Sequence, residues 1–186
     1  MKKEITYCSH PSEERFIQCT KEYIQELFQS VCNGKDIVMV DQIVPPTNLK
    51  RYLRYFDDIK VCIVDRDPRD LFILEKYVWK DGIIPTDVKI FCKWFKYTRE
   101  HRSEERNDSD KVKFVQFEDM IYRYDEMSAE LVEWLGLKFE NQTEKKKIFN
   151  PNESIKNTKL WEKIDCDHAD IVYIENKLRK YLYNFI

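Results

Sequence analysis

The six residues Asp65-Arg66-Asp67-Pro68-Arg69-Asp70 carry five ionisable side chains, two of them guanidinium groups. The apolar, β-branched run Val61-Cys62-Ile63-Val64 precedes them and reads as a short buried strand. Leu71, Phe72, Leu74, Tyr77 and Val78 follow at helical spacing. Asp67 reads as an N-cap, Pro68 as the first helical residue and Asp70 as the acidic residue of the first turn. Arg66 is thus expected at the carboxyl end of a strand, just ahead of a helix N-terminus. That edge of an open α/β sheet is where ligands bind. Backbone N–H groups there favour an anion, and a forked guanidinium suits phosphate. A well-capped turn whose arginines face water satisfies the same residues.

The elements around this turn follow from period and punctuation. Residues 4–8 read as a short strand. Arg15 to Cys32 is helical by period, opened near Ser12 and stopped by Asn33-Gly34. Asp36 to Val40 is a second apolar run, expected as a buried strand. Thr47 to Phe56 follows as a short amphipathic helix, giving a crossover between parallel strands. Pro85-Thr86-Asp87 opens a helix from Val88 to His101 with an aromatic face. Residues 99–110 read as a polar loop. Lys111 to Phe117 alternates as a strand, Met120 to Leu135 is a helix capped by Gly136, and a last helix runs from Asp167 to Tyr183.

The segment Val64 to Ile73, VDRDPRDLFI, resembles the V-x-R-D-P-R-D-V block of the sulfotransferase family. Phe114 to Ile121, FVQFEDMI, is similar to that family's V-x-Y-E-D-L block, and Glu133 to Leu137 to its F-L-G-L helix end. The two blocks stand in the family's order, and the resemblance covers residues 36–161. It implies an α/β fold in three layers, a small parallel sheet flanked by helices, of the P-loop NTPase-like sulfotransferase kind. All 186 residues form a single domain in this reading.

The resemblance implies transfer of a sulfuryl group from PAPS (3′-phosphoadenylyl sulfate) to a hydroxyl or amine acceptor, small molecule or carbohydrate, with PAP as product. It makes Arg66 the 3′-phosphate ligand. It makes Asp41 the general base, in the place where the family often carries histidine. Ser154, Lys156 and Lys159 fall where the family's C-terminal loop folds over the nucleotide. Two departures stand out. The serine expected eight residues after Arg66 is Leu74. The glycine-rich P-R-S-G-T loop for the 5′-phosphosulfate has no counterpart among the chain's three glycines. Ser9 to Ser12 is a poor substitute without a glycine. The expectation is therefore a fragment or late start lacking that loop, or else a non-catalytic scaffold of the same fold. A nucleotide kinase is disfavoured by the lack of a Walker lysine pattern.

Composition narrows the alternatives. A net charge of -2 argues against nucleic acid as partner. No apolar run reaches the length of a membrane helix, and the N-terminus has no signal-peptide pattern. Six cysteines without a C-x-x-C pair read as reduced core residues of a cytoplasmic protein, with no metal site expected. Oligomeric state is not legible in the sequence.

Overall fold

The computed structural model describes residues 11–35, 37–101 and 110–185. Among them the protein is mixed α/β, with eight α-helices and a small parallel sheet of two strands. The chain divides into two compact units, Met1–Ile59 and Lys60–Ile186. The strand expected over residues 4–8 and most of the polar loop 102–109 lie outside the described residues.

The first unit holds α1 (Glu13–Val31) and α2 (Leu49–Leu53). Ser12 caps α1 by accepting a hydrogen bond from the Arg15 N–H at 3.2 Å. Asn33 and Gly34 end it in left-handed backbone, with φ of 50° and 72°. Helix α2 is shorter than its apolar pattern predicts but buries Leu49 and Leu53. The expected strand at 36–40 does not form over its described part. Ile37 to Val40 is irregular and exposed, Met39 by 94%. A strand needs a partner for its backbone groups, and an apolar run supplies none by itself.

The second unit is built on β1 (Val61–Asp65) and β2 (Val112–Gln116). They pair in parallel from Val61 beside Val112 to Asp65 beside Gln116. Parallel neighbours require a long crossover. Here it contains α3 (Pro68–Ile73), a π-helical stretch Leu74–Trp79 and α4 (Val88–Glu100). Asp67 and Asp87 cap the two α-helices, each accepting N–H bonds from the first turn. After β2 come α5 (Phe117–Tyr122) and α6 (Tyr124–Trp134), where a single helix is expected from sequence. Arg123 interrupts it with φ −126° and ψ 37°. Gly136 closes α6 in a Schellman motif: the Leu137 N–H donates to Val132 O at 3.0 Å and the Gly136 N–H to Glu133 O at 2.9 Å. The short helix α7 (Pro151–Ser154) and α8 (His168–Lys177) complete the unit.

The core lies between α3, α4 and α8. Phe72, Phe91, Phe95, Ile174 and Leu178 are fully buried there, with Phe72 and Phe91 ring centroids 5.0 Å apart. The π-helical stretch rotates the apolar stripe. Residues 72–74 point inward, whereas Val78, in phase with them at a 3.6-residue period, is exposed. Cys92 belongs to this core, but Cys62 alternates with buried Ile63 on β1 and is exposed, as is Cys19. None of the described helices is long and apolar enough to cross a membrane.

Phe72→Ala is expected to cost about 3–5 kcal/mol in denaturant unfolding. Val78→Ala should stay within about 0.5 kcal/mol. A comparable loss at both positions would contradict the rotated stripe.

Candidate functional site

Because β1 and β2 pair in parallel with Asp65 beside Gln116, the residues leaving both strands emerge side by side. Arg66 follows one strand, and Phe117 and Glu118 follow the other. The Arg66 guanidinium lies over the Phe117 ring, 4.3 Å from its centroid. Glu118 reaches back across the strand ends, and its Oε1 accepts the Asp67 N–H at 2.9 Å.

Asp67 is fully buried and meets donors on both oxygens. Its Oδ1 accepts from the Arg69 N–H at 2.8 Å and from Arg69 Nε at 3.0 Å. Its Oδ2 accepts from Arg69 Nη2 at 2.8 Å and from the Tyr183 N–H at 2.9 Å. Arg69 spends its other nitrogen on Glu175 at 2.8 Å, and its guanidinium stacks 3.8 Å from the Trp161 ring centroid.

Asp70 is buried too. Its oxygens accept from the Leu160 N–H at 2.7 Å and the Lys159 N–H at 3.1 Å. This carboxylate therefore fixes the irregular segment that precedes Trp161 against the start of α3. Held there, Asn157 turns its carbonyl to Arg66 Nη2, which donates to it. Thr158 is buried alongside, its hydroxyl 2.7 Å from that of Tyr122.

Of the residues singled out from sequence, Arg66 and Lys159 are thus brought to one turn. The Lys159 backbone is held by Asp70 in left-handed conformation (φ 52°), and its Nζ lies 5.0 Å from the Phe185 ring centroid. Ser154 is half-buried at the end of α7. The Lys156 ammonium is exposed and sits 3.6 Å from the Glu153 carboxylate. Asp41 lies on an exposed bend of the first unit. Leu74, in the place of the family's serine, is part of the hydrophobic core.

Sequence reasoning missed Asn157, Phe117 and Tyr183, and it left Glu118 as a helix cap. The available signal was positional: Phe117-Glu118 follows β2 as Arg66-Asp67 follows β1. Nothing in the local sequence announces the carbonyl of Asn157 or the backbone of Tyr183.

The turn is electrostatically tense. Burial lowers the Arg66 pKa, opposed by Asp70, Glu118 and Asp67. Burial also pushes Asp70 up to about 6 and Glu118 up to about 7, each against the N–H groups that favour its charged form. Glu118 Oε2 and Arg66 Nε are both buried without a hydrogen-bond partner among the described residues. The second is a donor still to be satisfied, and a buried unmet donor is costly. Among the described residues no three His, Cys, Asp or Glu side chains gather in a way that could hold a metal ion.

A phosphate-cradling glycine is recognised by close approach of backbone to ligand. A Cβ added at Gly34, Gly82 or Gly136 would meet nothing within 4 Å, so these glycines serve turns and helix ends. Among the described residues no glycine forms a backbone cradle for a phosphosulfate. No protein-family model, curated protein or solved structure matches this chain.

Glu118 makes stability fall with pH. Its folded pKa, about 7, lies above its ordinary 4.5, so the folded protein holds the proton more tightly than the unfolded chain does. Its contribution is complete below the ordinary value and is lost as pH rises through the folded one. Asp70 adds the same sign between 3.8 and about 6. Glu118→Gln should remove the upper part of this decline and raise stability at alkaline pH by about 1–3 kcal/mol. Unfolding curves across pH check this, and an unchanged slope above pH 6 in the variant would contradict it.

Proposed function

We propose that this chain is a sulfotransferase-like protein, its strands and helices arranged in the three layers of that family. In this reading Arg66 holds the 3′-phosphate of PAPS. The acceptor is a hydroxyl or amine on a small molecule or carbohydrate, and the protein works in the cytoplasm without nucleic acid as partner. The observation that supports it is a buried donor without a partner among the described residues, Arg66 Nε, at the turn where Asp70 gathers the 157–160 backbone. The strand-end position and the guanidinium fork are the elements an anion site uses.

When bound, PAPS supplies the activated sulfuryl group. The chain's own residues do the rest. Arg66 fixes the nucleotide end and so limits its orientations, which is positioning catalysis. Lys159, its backbone held by Asp70, adds a positive charge beside the turn, and Ser154 and Lys156 belong to the same segment. Asp41 takes the proton of the acceptor hydroxyl or amine. The described residues offer no counterpart of the 5′-phosphosulfate loop, so this reading assigns the chain a donor half-site.

A second reading is a non-catalytic scaffold or binding protein of the same fold. It draws on the core position of Leu74 and on the contacts Arg66 already makes with Asn157 and Phe117.

Calorimetric titration with PAP, with ATP as control, separates the two. The donor reading expects PAP to bind in preference to ATP. It also expects Arg66→Ala to weaken PAP about 10- to 100-fold, the range for a charge-assisted hydrogen bond. Equal affinity of parent and variant for PAP, or no binding to either, would favour the scaffold.

A further inference from the structure

The segment 155–160 divides its backbone groups between opposite charges. Its N–H groups at Lys159 and Leu160 donate to the Asp70 carboxylate. Its carbonyls turn to cations. The Asn157 carbonyl accepts from Arg66 Nη2, and the carbonyls on either side of it go to a single ammonium. Lys163 Nζ donates to Ile155 O at 3.2 Å, to Lys156 O at 3.4 Å and to Thr158 O. Lys163 follows the 3-10 turn Leu160–Glu162, and its own N–H donates to Leu160 O at 3.0 Å. That turn brings the lysine side chain back to the segment it follows.

An ammonium carries three N–H donors and no acceptor, and here three carbonyls receive them. Ile155–Asn157 is itself a 3-10 turn. Carbonyls at the end of a helical turn lack partners within it, and a lysine beside them supplies one. The peptide unit joining Thr158 to Lys159 is held at both ends, its carbonyl by Lys163 and its N–H by Asp70. The unit before it carries the carbonyl that meets Arg66. Without the ammonium, the Lys156 and Thr158 carbonyls would need another donor, and the guanidinium of Arg66 already reaches the carbonyl between them.

We propose that Lys163 is a positioning residue for Arg66: by taking the carbonyls of Ile155, Lys156 and Thr158, its ammonium fixes the direction of the Asn157 carbonyl and, through it, the guanidinium. The consequence for PAP rests on the reading of Arg66 as the 3′-phosphate ligand, whereas the positioning itself does not. A guanidinium held in one orientation loses less entropy when it meets a ligand. Lys156, on the same segment, has no such role, because its ammonium turns to the Glu153 carboxylate at 3.6 Å.

The test is nitrogen-15 NMR of the whole chain. In the parent, the Lys163 ammonium protons should exchange with water about tenfold or more slowly than those of Lys180, an exposed lysine that meets one oxygen of Glu100. Lys163→Met keeps the apolar stem and removes the donors. It should shift the Arg66 Nε–H signal or lose it to solvent exchange, whereas Lys180→Met should leave that signal in place. Lys163→Met should also bind PAP about three- to tenfold more weakly than the parent does, the worth of one hydrogen bond. An Arg66 signal that stays in place in Lys163→Met, or Lys163 protons that exchange as fast as those of Lys180, would overturn the proposal. The second comparison is made on the parent and needs no variant to fold. PAP bound equally well by parent and Lys163→Met would overturn it as well. PAP that fails to bind the parent would remove the donor reading, and the two NMR signals would then decide the positioning of Arg66 by themselves.

Discussion

A carboxylate taken out of water has to be met by donors on both of its oxygens, and the second unit is arranged around two that are. Asp67 accepts from the backbone and guanidinium of Arg69 and from the backbone of Tyr183, which lies far along the chain. Asp70 accepts from Lys159 and Leu160. Each carboxylate begins as a local feature of one helix start. Each ends as the anchor for a distant segment. At 157–160 and around Tyr183 these bonds act together with the burial of Leu160 in the core and the ring contacts of Tyr183 with Tyr122 and Phe185. Removing one partner of such a pair is more costly than the pair is worth, because the other is left buried and unmet.

Local chemistry was legible from residue types. The caps at Ser12, Asp67 and Asp87, Pro68 at the first helical position and the Schellman glycine Gly136 all stand where the sequence places them. These devices act within four residues, which is the reach of sequence pattern. What failed needed a partner from elsewhere. The run Ile37 to Val40 has strand composition, yet it is exposed and irregular. Val78 fits a helical period that the π-helical stretch shifts by part of a turn. Cys62 reads as core and lies on the open side of β1. In the candidate site, Arg66 was visible as a charged residue at a strand end. Its neighbours Asn157, Phe117 and Glu118 come from sequence positions that nothing local ties to it.

Arg66 stands between two roles. Its lower contacts are structural: a carbonyl on one nitrogen and an aromatic face beneath. Its Nε is buried without a partner among the described residues. A residue held from below with a free donor is preorganised for an anion, and preorganisation reduces the entropy lost on binding. The same fixed guanidinium, with no anion, would serve to neutralise the field of Asp67, Asp70 and Glu118 around it. Both roles need the turn intact. The carboxylates are therefore the more basic constraint, and the ligand reading rests on them.

The most direct measurement is amide hydrogen exchange on Asp70→Asn. An asparagine keeps one acceptor oxygen but presents an NH₂ where the second N–H must be received. If Asp70 organises the site, the Lys159 and Leu160 amides exchange faster in the variant, by about tenfold or more for the loss of a charge-assisted bond, while the Phe91 and Ile174 amides in the core keep their protection. Unchanged exchange at Lys159 and Leu160 would contradict the account, because the segment would then be held by something other than the carboxylate.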